Sequence, residues 1–98
     1  MCAIFGTIGN SNLNLLKEIS QKQIYRGPDK QSFFVSSDNL VSMGNNRLSV
    51  IDKKNGSQPM YSNNKRFVTV FNGCIYNFNE IRKFLQKKGI DFFTNSDT

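Results

Sequence analysis

The amino-acid sequence predicts an α+β layered fold made mostly of antiparallel strands. Three observations carry that expectation. Short β-branched and aromatic runs, bounded by Gly, Asn and Asp, recur along the chain. Apolar residues take up helical spacing in two stretches, one early and one late. The 98 residues amount to one small domain or part of a larger one. Strands with helices set apart at either end belong to the α+β class.

In chain order, Cys2 to Ile8 reads as a short strand closed by Gly9-Asn10. Asn12 is placed to cap a helix from Leu13 to about Gln23, whose apolar stripe is Leu13, Leu16 and Ile19, widened by Leu15. Arg26-Gly27-Pro28-Asp29 ends it, because Pro28 lacks an N–H and disfavours α geometry at Gly27. Gln31–Ser36 and Leu40–Gly44 read as strands joined by the turn Ser37-Asp38-Asn39. Asn46 to Asp52 alternates and is expected to be extended, Lys53 to Gly56 to turn, and Gln58-Pro59-Met60 to be irregular. Phe67–Phe71 is the clearest strand, ended by Asn72-Gly73. Asn77 opens a second helix, with Glu80 in capping-box position, Phe78, Ile81 and Leu85 on the apolar face and Gly89 as terminator. Asp91–Thr94 reads as a last strand.

Composition narrows the function classes. No apolar run approaches the roughly 20 residues of a membrane span, and no basic region precedes a long apolar stretch as in a secretory signal. A cytoplasmic protein is expected. Thirteen Lys and Arg against seven Asp and Glu give a net charge of +6. The basic residues fall in scattered pairs such as Lys53-Lys54, Lys65-Arg66 and Lys87-Lys88, without interleaved aromatics, so solvated faces rather than nucleic-acid binding are expected. Two cysteines and no histidine make neither a disulfide framework nor a zinc site.

The missing histidine sharpens the meaning of Cys2. A Cys–His or Ser–His mechanism within these residues is excluded. A cysteine in this position is commonly a small buried apolar residue. Cys2, however, follows the initiator Met1, and removal of Met1 leaves a thiol and a free α-amine on one residue. That amine has an ordinary pKa near 8, so nucleophile and base can share a residue.

Taken singly, the remaining polar motifs are ordinary turns and strand ends. Together they form a pattern. Cys2-Ala3-Ile4-Phe5-Gly6, Arg26-Gly27-Pro28-Asp29, Asn46-Arg47-Leu48-Ser49-Val50-Ile51-Asp52, Gln58-Pro59-Met60, Asn72-Gly73 with Ile75-Tyr76-Asn77, and Ser96-Asp97 stand in one order across the whole chain. In this the chain resembles the N-terminal glutaminase domain of class II glutamine amidotransferases, most like that of glutamine-hydrolysing asparagine synthetases.

The resemblance implies the N-terminal half of a four-layer αββα N-terminal-nucleophile hydrolase sandwich. Cys2 would attack the side-chain amide of glutamine, and its α-amine would handle the proton through a water. The side-chain amide of Asn72 and the backbone N–H of Gly73 would hold the oxyanion. Arg47 would hold the α-carboxylate, backbone around Leu48 and Val50 would line the pocket, and Asp97 would accept from the α-ammonium. Arg26 and Asp29 would brace the loop near Cys2. The family carries glutamate where this chain has Cys74, so glutamine binding is expected to be weakened there. Tyr25 and Asn45-Asn46 are smaller departures, where relatives often have histidine and a His-Glu pair.

By the same resemblance, residues 1–98 are a partial domain that stops after Thr98, with an apolar sheet face left exposed. ATP and magnesium would belong to a synthetase domain outside these residues, and no cofactor or metal to this part. The implied partners are glutamine and that synthetase domain, with room for a homodimer. A non-catalytic interaction module is the alternative reading, favoured by Cys74 and the early end. A small basic nucleic-acid binder rests on charge alone.

Overall fold

The computed structural model describes residues 1–98. Strands β1 (Ala3–Ile8), β2 (Lys30–Val35) and β3 (Val41–Arg47) form one antiparallel sheet in the order β1-β3-β2. Strands β4 (Met60–Tyr61) and β5 (Val68–Thr69) form a second, two-stranded antiparallel sheet. Helix α1 (Leu13–Lys22) follows β1, and α2 (Phe78–Lys87) follows β5. The expected α+β class and antiparallel pairing are what the chain adopts.

Local chemistry explains the elements. Asn12 caps α1, its Oδ1 accepting the Leu15 N–H at 2.9 Å. The turn between β2 and β3 is tied by Asp38, whose Oδ1 accepts from the Ser36 hydroxyl and the Leu40 N–H, with Asn39 at φ +58°. These bonds, the Ser36 hydroxyl first, hold the Asp38 carboxyl below its ordinary range. At the end of α2, Gly89 takes φ +82° while Ile90 N–H bonds Leu85 C=O and Gly89 N–H bonds Gln86 C=O. That is a Schellman closure.

The registers Ala3↔Asn46, Phe5↔Gly44 and Thr7↔Ser42 put these residues on one sheet face. Helix α1 covers that face with Leu16 and Ser20, both fully buried. The Phe5 ring lies so close over Gly44 that a Cβ there would sit 2.1 Å from it. Asn46 accepts the Ser20 hydroxyl at 2.6 Å and donates to the Ser20 carbonyl at 2.8 Å, locking β3 to α1. The opposite face carries Ile4 and Ile8, which are 45% and 90% exposed.

Several expected elements differ. The alternating stretch 46–52 is strand only through Arg47, and the carbonyls of Ile51, Asp52 and Lys53 go to the Arg47 guanidinium rather than to a neighbouring strand. Phe67–Phe71 is strand only at Val68–Thr69, because the Phe71 N–H goes to the Gln58 side chain. Asp91–Thr94 forms no strand, since Arg82 takes the Thr94 carbonyl and Asp52 the next N–H, that of Asn95. Asn77 stands at the N-cap of α2 but its side chain makes no capping bond, so the expected capping box is not formed. No helix is long and apolar enough to cross a membrane.

Candidate active site

Cys2 lies at the start of β1, beside the end of β3 where Arg47 leads into Leu48. Its Sγ accepts the Leu48 N–H at 3.3 Å and lies 3.7 Å from the Leu48 carbonyl oxygen. A side chain at the start of one strand is thereby fixed by backbone just past the end of its partner. The Arg26 Nε donates to the Cys2 carbonyl at 3.4 Å, and Asp29 Oδ2 accepts the Ser49 N–H at 2.7 Å. Arg26-Gly27-Pro28-Asp29 is thus bonded both to Cys2 and to the loop that follows Leu48. Met1 is 76% exposed.

Arg47 is 5% exposed and serves the loop behind Leu48. Its Nη1 donates to the Lys53 carbonyl at 3.1 Å, and its Nη2 donates to those of Ile51 at 2.9 Å and Asp52 at 2.8 Å. A guanidinium has five N–H donors, so these bonds leave two uncommitted to the loop, one on Nε and one on Nη1. Gly56 is buried against the same guanidinium, with no room for a Cβ. Val50 is 76% exposed, so its side chain points into no enclosed space.

A second group lies around α2. Asp97 Oδ2 accepts the Ile75 N–H at 2.9 Å, which joins it to the segment carrying Asn72, Gly73 and Cys74. Arg82, reaching from α2 over the Phe92 ring, donates to the Thr94 and Ser96 carbonyls. A small cavity of about 70 Å³ lies here, lined in part by Ile75, Arg82, Ser96 and Asp97. Cys74 is exposed and carries a free thiol, as does the half-buried Cys2.

The two groups are tied through the loop after β3. Asp52 Oδ2 accepts the Asn95 N–H at 2.8 Å and its Oδ1 the Asn55 N–H at 3.0 Å. These two N–H groups, Asn95 first, hold the Asp52 carboxyl below its ordinary range, with the Arg47 charge adding to them. Bonds therefore run from Arg47 to Asp52 and on to Asn95, two residues before the Asp97 that bonds Ile75. No hydrogen bond joins Cys2 to Asn72 or Gly73. No group of three or more Cys, Asp or Glu side chains converges to hold a metal.

The motifs gave no role to three side chains that organise these segments, Asp52, Arg82 and Gln58, which are marked by hydrogen bonds to residues distant in sequence. Gln58 is 6% exposed, an unusual place for an amide.

Cys2 is thus pinned by backbone just past the end of β3, with Arg26 bonded to its carbonyl and Asp29 to Ser49. Comparison with known proteins identifies the family. A family model described as "Glutamine amidotransferase domain" matches residues 1–98. Asparagine synthetase [glutamine-hydrolyzing] 1 of Bacillus subtilis is 38% identical over 100% of this chain and 16% of its own length. Asparagine synthetase [glutamine-hydrolyzing] 1 of Arabidopsis thaliana is 37% identical over 99% of this chain and 17% of its own length. The nodule asparagine synthetase of Pisum sativum is 33% identical over 99% of this chain. The chain belongs to the class II glutamine amidotransferase domain family. It spans about a sixth of the length of these relatives.

Proposed function

We propose that the chain is the glutaminase part of an asparagine-synthetase-like amidotransferase, which hydrolyses glutamine to glutamate and ammonia through a thioester on Cys2. The observation that carries this is the Cys2 sulfur held against the Leu48 backbone in a member of this family. Once Met1 is removed, the Cys2 α-amine takes the thiol proton through a water and Sγ attacks the side-chain amide carbon of glutamine. The Asn72 side-chain N–H and the Gly73 backbone N–H receive the oxyanion, donors whose loss typically costs about 100- to 1000-fold in rate. The amine returns the proton to the leaving nitrogen, ammonia departs, and water hydrolyses the thioester.

Arg47 binds the α-carboxylate of glutamine with the N–H groups its loop leaves over, and backbone at Leu48 and Val50 lines the pocket. Asp97 binds the α-ammonium through Oδ1 while Oδ2 stays on Ile75. Cys74 supplies no charge where the family has a carboxylate, which weakens this end of the site.

In the same reading the layers seen here are part of a four-layer αββα sandwich. Ammonia passes to an acceptor such as aspartate, activated by ATP and magnesium in a synthetase domain. No residue of this chain is assigned to ATP or magnesium. The test is glutamate release from glutamine: the protein releases it and the Cys2→Ala variant does not. Release that survives Cys2→Ala overturns the proposal.

A further inference from the structure

Gln58-Pro59-Met60 is a motif without a role in the mechanism above, yet Gln58 is among the few buried polar residues of the chain. Both ends of its amide are used. Oε1 accepts the Phe71 N–H at 2.5 Å, and Nε2 donates to the Thr98 hydroxyl at 3.3 Å. Phe71 is the residue before Asn72, and Thr98 the residue after Asp97. Thr98 is held in turn by Ser96, whose hydroxyl donates to it at 3.1 Å and accepts its backbone N–H at 3.2 Å.

We propose that Gln58 is a positioning residue that sets the oxyanion donors at Asn72 and Gly73 and the α-ammonium acceptor Asp97 relative to one another. The inference rests on the glutaminase reading and adds to it how two separate segments are held in register. The side-chain chemistry is specific. One side needs an acceptor and the other a donor, and an amide carries both, whereas glutamate lacks the donor and methionine lacks both. Burial of the Gln58 amide makes an unpaired end costly. Phe71 has no other backbone partner for this N–H, since β5 ends at Thr69. The fixed distance across one amide thus replaces the strand pairing that would otherwise place Asn72.

The test is glutamine kinetics on Gln58→Met, Asn72→Ala, the double variant and Thr98→Val. A misplacement of order 1 Å in an active site can cost about 100-fold, and a released tether is expected to cost Gln58→Met about tenfold or more in kcat and to raise KM. In the Asn72→Ala background the kcat loss should shrink well below its size in the wild-type background, because one of the two donors that Gln58 aims is already gone. Thr98→Val removes the Gln58 and Ser96 bonds to the Thr98 hydroxyl but leaves the Phe71 bond, and should raise KM with kcat held. Wild-type constants in Gln58→Met, or a kcat loss that simply adds to that of Asn72→Ala, overturn the inference. Should circular dichroism show Gln58→Met unfolded, Thr98→Val decides, and an unchanged KM sinks the proposal. If the wild-type protein releases no glutamate, the glutaminase reading fails by itself. Amide exchange then tests the tether: the Ile75 N–H, held by Asp97, must exchange faster in Thr98→Val, and unchanged protection refutes it.

Discussion

Replacing Arg47 by lysine keeps the charge and removes the planar fork, which makes it a sharp probe of how the loop after β3 is held. In the structure the guanidinium bonds three carbonyls, at 3.1, 2.9 and 2.8 Å, from a 5% exposed position. A lysine presents its donors from one point and can satisfy one of these carbonyls well. Hydrogen bonds to charged groups are worth about 1.5–3 kcal/mol each. Lys53 is exposed and its carbonyl can regain water, so one full bond and part of a second are lost, or about 2–3 kcal/mol. With a urea slope of about 2 kcal/mol per molar for a domain this size, the midpoint should fall by about 1 M or more. Lys53→Ala, which keeps the backbone carbonyl, should leave the midpoint in place. A midpoint for Arg47→Lys within about 0.2 M of wild type would refute the reasoning.

Three further outcomes are expected. Cys74→Glu returns a carboxylate beside the Asp97–Ile75 contact and should lower KM for glutamine, by about tenfold if the added charge is worth 1.4 kcal/mol; an unchanged KM removes Cys74 from the account. The Asp52 carboxyl is held below its ordinary 3.8 by the Asn95 and Asn55 N–H groups, so its contribution to stability is present above that value and is lost as pH falls through the lower folded value. Acid titration should show Asp52→Asn with a shallower loss of stability below about pH 4 than wild type, and parallel curves would contradict this. Gly56→Ala places a Cβ 2.6 Å from Arg47 Nη2 and 2.9 Å from the Asp52 carbonyl oxygen; a cost of about 1–3 kcal/mol in chemical denaturation is expected, and a neutral result would mean the loop is free to move.

The sequence announced those parts of the fold whose causes are local. The Asn12 cap, the Asp38 turn and the Gly89 terminator each act within a few residues, and each is where pattern and turn chemistry put it. Alternation over 46–52 and β-branched residues over 67–71 misled because extended backbone is a strand only when another strand takes its polar groups. Here Arg47 takes the carbonyls of Ile51, Asp52 and Lys53, and Gln58 takes the N–H of Phe71. Asp91–Thr94 went the same way, with Arg82 and Asp52 bonding its end. Such partners are distant in sequence, and no periodicity encodes them. The candidate site shows the same division. Cys2, Arg47 and Asp97 were legible as motif members, whereas the side chains that bind the site's segments together became visible only through burial and hydrogen bonding.

The central claim is that Cys2 acts as both nucleophile and base once Met1 is gone. The direct measurement is glutamate release by the same protein with Met1 removed and with Met1 retained, the two forms distinguished by intact mass, beside Cys2→Ala. Release from the Met1-free form alone is the expected result. Equal release from the Met1-retained form, or any comparable release from Cys2→Ala, would contradict it.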